Sequence, residues 1–160
     1  MGTPFSTIYD RFIAMVKDYR LDALYVKDKD SFYEFLKGFL LNSIDMFDGA
    51  LQDLTYISQT ETNNNVESIV YYFNNILTSK EIYILCLGVM IAWYQNDLND
   101  VTQFRLHLNV KDFKTYSEQA NLKQRSEVLD KMREDLSKHI IEYQLKNLTS
   151  LPFFDGGDIT

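Results

Sequence analysis

The feature that most constrains this chain is the run Ile82 to Tyr94, thirteen consecutive residues without a charge. It opens on Thr78-Ser79-Lys80-Glu81, a capping box in which a Thr hydroxyl and a Glu carboxylate satisfy each other's orphan N–H groups. Leu77 and Ile82 stand where a hydrophobic staple would close. A helix that is apolar nearly all round is covered on several sides, so this one belongs at the centre of a bundle. It is too short to cross a bilayer, which takes ~20 apolar residues. It turns polar at Gln95-Asn96-Asp97 and continues amphipathically to about Leu108.

Other helices surround it. Phe5, Ile8, Phe12, Met15 and Tyr19 recur at three and four residues, one helical face, which predicts a first helix over 4–19. Thr3 is its expected cap, and Pro4 fits the first helical position, where a missing N–H costs nothing. Arg20 to Asp30 reads as a solvated connector around Lys27-Asp28-Lys29-Asp30. A second helix is expected from Ser31, capped by Asp30, with Phe32, Phe35, Leu36, Phe39, Leu40 and Phe47 as a broad apolar face. Ile44 and Met46 widen that face, and Gly49 marks the stop. The last helix starts at Lys111 or Ser117 and ends at Leu148. Leu122, Leu129, Leu136 and Tyr143 are spaced by seven, flanked by Met132 and Ile140. Glu127, Glu134 and Glu142 each precede a Lys by four residues, worth ~0.2–0.5 kcal/mol per pair. This narrow seam suits an outer helix or one that meets a second chain.

The middle, Leu51 to Leu77, is ambiguous. Leu54 to Ile57 and Ile69 to Phe73 are β-branched and aromatic, and the polar stretch 58–67 lies between them. A short hairpin within 54–73 with a long tip loop is one reading; a helix through Glu67 to Asn74 is the other. Irregular structure with a short hairpin in it is favoured. The expected fold is therefore all-α: about four helices in a bundle domain over 1–148, a long C-terminal helix, and an extended arm over 149–160.

Composition removes several functions. Sixteen Lys and Arg against twenty-three Asp and Glu leave a net charge of −7, the wrong sign for a protein that grips phosphate backbones. The single cysteine, Cys86, cannot make an internal disulfide or a Cys-based zinc site. Within an apolar run it reads as a core residue rather than a nucleophile. His107 and His139 lie on different expected helices, with no His-Glu-x-x-His around them. Asp45, Asp48 and Gly49 lack calcium-loop spacing, and Asp97 with Asp100 reads as a polar helix face. Trp93 and Tyr94 sit where packing is a stronger reading than base stacking. No catalytic, cofactor-binding or metal residue is assigned. The N-terminus lacks the basic and apolar regions of a signal peptide, so synthesis and use in a cytoplasm are expected. Leu151, Pro152, Phe153 and Phe154 follow the last helix. They either fold back on the bundle or dock on a partner.

The segments Leu77 to Ile82 and Leu85 to Asn96 resemble the central helix of head–tail connector (neck adaptor) proteins of tailed bacteriophages, in which a Thr-x-x-Glu start leads to an apolar helix closing in Trp-Tyr-x-Asn. Phe5 to Phe12 and Asp112 to Leu122 are similar to small phage structural proteins. Asp97 departs from the family, where Arg often follows that Asn. The resemblance implies a virion protein without catalysis. It implies a homo-oligomeric ring, a dodecamer, beneath the portal protein, contacting the next neck or tail protein and extending a channel through which DNA passes unread. No membrane is involved, and assembly would occur in the host bacterial cytoplasm. The arm residues Leu151, Pro152, Phe153 and Phe154 would reach the portal. The alternative is an acidic helical regulatory module that binds and inhibits a host or phage protein.

Overall fold

The computed structural model describes residues 2–16, 19–63, 66–108 and 116–148. Among the described residues five helices and one hairpin follow in order: α1 (Phe5–Val16), α2 (Tyr19–Lys27), α3 (Lys29–Met46), β1 (Tyr56–Asn63), β2 (Val66–Phe73), α4 (Ser79–Leu108) and α5 (Tyr116–Leu148). The helical bundle is as expected, with one helix more.

Helix α4 is the pillar. Ile84, Leu85, Cys86, Val89 and Ile91 are buried, and α1, α3 and α5 all pack on it. From α1 come Phe5, Ile8, Tyr9 and Phe12; from α3, Phe32, Leu36 and Leu40; from α5, Leu129, Leu136 and Tyr143. The heptad-spaced seam of α5 therefore faces its own bundle rather than a second chain. Where α3 crosses α4 the backbones come close. Ser43 Oγ donates to the Leu85 carbonyl at 2.7 Å, and a Cβ on Gly88 would lie 2.1 Å from Ser43 Oγ.

Several expected boundaries are corrected. The stretch 20–30 is not a connector, because Tyr19–Lys27 forms α2, whose Leu21 is buried. Leu24 and Tyr25 pack against the core from the same helix, so spacing by three and four carries a helix through a charged sequence. The cap of α3 is Asp28 rather than Asp30. Its carboxylate accepts from the Ser31 N–H at 3.1 Å and from the Ser31 hydroxyl at 2.6 Å, which holds it below the usual carboxylate range. Phe35 and Met46, expected inside, are about two-fifths exposed, because α4, α2 and α1 together leave part of the circumference of α3 uncovered. Helix α3 ends at Met46, and Gly49, at φ +75°, turns the chain beyond it.

The hairpin reading holds, but the hairpin is long. Its strands are eight residues each, paired antiparallel from Tyr56–Phe73 to Asn63–Val66, so the polar stretch expected to form a tip loop is mostly strand. Thr3 does not cap α1. It accepts from the Phe73 N–H (2.9 Å), donates to the Asn75 carbonyl (3.0 Å), and its hydroxyl accepts from the Leu77 N–H (2.8 Å). Pro4 bridges Tyr72. The N-terminal segment thus runs antiparallel along the base of β2 as an isolated bridge, and the sheet itself stays two-stranded. The Phe5 ring sits beneath the hairpin, with ring centres 4.7 Å from Phe73, 5.2 Å from Tyr56 and 5.7 Å from Tyr71.

Candidate functional site

The capping box forms as expected: the Thr78 N–H donates to Glu81 Oε2 at 2.6 Å and the Glu81 N–H to Thr78 Oγ1 at 3.3 Å. It has a further member that the sequence did not reveal. Glu81 is fully buried, and the Tyr143 hydroxyl of α5 donates to its other oxygen at 2.5 Å. That hydroxyl in turn accepts from the Leu51 N–H at 3.4 Å. Burial, then the bond to Glu81, pushes the Tyr143 phenol up to about 12. Beside it Gln144 Nε2 donates to the Asp48 carbonyl at 3.0 Å. This network ties the start of α4, the end of α5 and the loop after α3 into one joint. Glu81 is shut off from solvent, so the arrangement suits holding elements together rather than proton transfer to a ligand.

That end of the molecule also carries exposed aliphatic side chains. Ile141, Leu145 and Leu148 are spaced four and three apart along α5, and each is at least half exposed. They form a second apolar row, turned away from the Leu129–Leu136–Tyr143 seam. The loop carrying the exposed Leu51 is fixed to Tyr143 and Gln144. Ile76 is exposed just after Asn75, whose side chain donates to the Asp53 carbonyl at 3.1 Å. The spacing 141, 145, 148 was the available signal for this row, masked in sequence by the stronger heptad seam. The expected partner residues Leu151, Pro152, Phe153 and Phe154 lie outside the described residues, as does the 149–160 arm.

The other candidates resolve locally. Cys86 is buried, with Sγ 3.6 Å from Met15 Sδ, and burial pushes its thiol up to about 11. A protonated thiol without access is a packing group. His139 is half-buried on α5 against Tyr83, its Nδ1 3.1 Å from Lys80 Nζ and 3.3 Å from Glu142 Oε2. Glu142, expected to pair with Lys146, also stands 3.8 Å from Lys80. The His107 side chain is outside the described part. Among the described residues, no three His, Cys, Asp or Glu side chains gather as a metal site would require, and no helix is long and apolar enough to cross a membrane.

Trp93 packs edge-on to Phe12, ring centres 6.0 Å apart. Its outer side lines a shallow cleft of about 190 Å³ with Leu21, Leu24, Phe35, Asn96, Asp97 and Asp100. Asp97 is bridged to Arg125 of α5 at 3.2 Å, which places this member of the expected polar face between two helices. No family model, curated protein or solved structure matches the chain.

Proposed function

We propose that this chain is a structural protein of a tailed-phage virion, a neck adaptor that assembles as a homo-oligomeric ring beneath the portal protein and joins head to tail. The observation that carries the reading is the exposed row Ile141, Leu145 and Leu148. It runs along the end of the longest helix into the segment that holds Leu151, Pro152, Phe153 and Phe154. Contiguous exposed aliphatic side chains at one end of a small domain mark a contact surface. On this reading the row and the arm residues together meet the portal and neighbouring subunits. The resemblance at Leu77–Ile82 and Leu85–Asn96 supports it, since those residues build the first half of α4, on which the bundle rests. With a net charge of −7, a ring of such chains would repel passing DNA rather than hold it.

Quantitative mass spectrometry of purified particles tests this directly. A copy number close to that of the portal protein is the expected result. Absence from particles, together with a one-to-one complex with a soluble protein in the producing cells, would overturn it in favour of an acidic inhibitory module.

A further inference from the structure

Among the described residues the hairpin leaves the β1 edge and the outer part of the β2 edge unpaired, and the two match each other. The Asn74 N–H donates toward β1, to the Thr55 carbonyl, while the Phe73 N–H donates the opposite way, to Thr3. Antiparallel pairing alternates these directions residue by residue. With the observed register, Ile57, Gln59 and Glu61 therefore bond inward to Tyr72, Val70 and Ser68. Tyr56, Ser58, Thr60 and Thr62 aim their N–H and carbonyl groups outward from β1. Glu67 and Ile69 do the same from the far side of β2. Among the described residues, the N-terminal segment covers the base of that second edge, at Phe73, Tyr72 and the carbonyl side of Tyr71.

Proteins that keep such edges apart use proline, lysine or a bulge. Neither strand contains Pro or Lys, and the register runs without interruption. The base of the hairpin rests on the body through Phe5 and through Lys37 of α3, which donates to the Tyr71 hydroxyl at 3.0 Å; toward the tip Ile69 is 61 % exposed on the face that Phe5 covers at the base. A two-stranded ribbon is marginal in water and gains from further strands.

We infer that the hairpin is a self-association device in which the β1 edge of one copy pairs antiparallel with the β2 edge of the next. The occupant is a second copy of this chain because its other edge offers what β1 lacks: a strand of equal length, opposite direction and the same twist. Pairing Ser58 with the partner's Ile69 sets Thr60 against Glu67 and ends short of the base of β2 that the N-terminal segment covers. In this register no like charges stand opposite each other. It also keeps the Phe5-side face continuous from copy to copy. Head-to-tail contacts of this kind close into rings when the rotation allows. The inference rests on the two edges and not on the neck reading.

The test is sedimentation of the full chain over a dilution series, with two edge variants. Thr60→Pro removes an outward N–H that the hairpin itself does not use, and Ser58→Lys adds a charge without touching the backbone. Wild type should associate reversibly. Each variant should weaken association by about tenfold or more, with the helical circular dichroism and the hairpin amide signals in NMR retained. Ser58→Cys chains mixed with Ile69→Cys chains should cross-link to each other and not to themselves. A wild-type chain monomeric at every concentration would overturn the inference. So would variants that associate as wild type does, or Ser58→Cys chains that cross-link among themselves. None of these results depends on whether the protein is found in particles.

Discussion

Gly88 should behave against the usual rule for helical glycines. Replacing a mid-helix Gly with Ala ordinarily stabilises by ~0.8–1.0 kcal/mol. Here the new methyl would meet Ser43 Oγ at 2.1 Å, Ser43 Cβ at 2.8 Å and Ser43 Cα at 3.2 Å. Rotating the hydroxyl away relieves only the first contact and forfeits its bond to the Leu85 carbonyl. The remaining two force α3 and α4 apart where both are buried. Overpacking costs ~1–3 kcal/mol, and a buried polar group stripped of its partner costs another ~1–3 kcal/mol. Less the propensity gain, Gly88→Ala should destabilise by ~1–5 kcal/mol. Urea unfolding reads this as a lower midpoint at unchanged slope. Ser43→Gly introduced into the same chain removes Oγ and Cβ, and it should return more than half of the loss despite its own helix penalty. A Gly88→Ala chain as stable as wild type, or more so, would refute the close-crossing account. A double variant no better than Gly88→Ala would show that the obstruction is not Ser43.

Tyr143→Phe should cost ~1–3 kcal/mol by leaving the buried Glu81 carboxylate short of a donor, measurable by the same unfolding. The Tyr143 phenol is held up to about 12 in the fold, against an unfolded value near 10. Its contribution is therefore complete below about pH 10 and drains away as pH rises through 12. Alkaline melts should show this loss in wild type and a smaller one in Tyr143→Phe. The Cys86 thiol, raised to about 11 and buried, should react with an aromatic disulfide at pH 8 only as fast as the bundle opens; rapid labelling of the native chain would contradict its placement. Gly49→Ala should destabilise by ~1 kcal/mol or more, because the site has φ +75° and a Cβ there would sit 2.1 Å from Gln144 Nε2. If Gln144→Ala in the same chain restored full stability, backbone strain would have no share in the effect.

The parts legible in the sequence were those with strong local signals. The capping box and the uncharged run named α4 and its start, and heptad spacing named the buried side of α5. Cys86 and Trp93 fell into the core region because nothing in their neighbourhood offered another use. Helix α2 was missed because its few apolar residues, Leu21, Leu24 and Tyr25, are diluted by charge; contact with α3 supplies what propensity does not. The strands were underestimated because Ser58 to Glu67 is polar on both faces, and a register set by Tyr56–Phe73 at one end carries the pairing on to Asn63–Val66. Thr3 looked like a helix cap because the cap pattern is local, whereas its partners lie some seventy residues away. The exposed row on α5 and the link from Tyr143 to Glu81 depend on how helices are rotated against each other, which periodicity leaves undetermined.

The seat of Thr3 between Phe73, Asn75 and Leu77 sets an order on biosynthesis. Thr3 and its neighbours have no permanent place until β2 and the start of α4 have followed them from the ribosome. Phe5 then waits for Tyr71 and Phe73, and Phe12 for Trp93. Helix α1 is thus made before its partners and settles late, which makes it a segment a chaperone or protease would meet on the nascent chain. Slowing translation between α1 and α4 should lengthen that exposure without altering the finished protein.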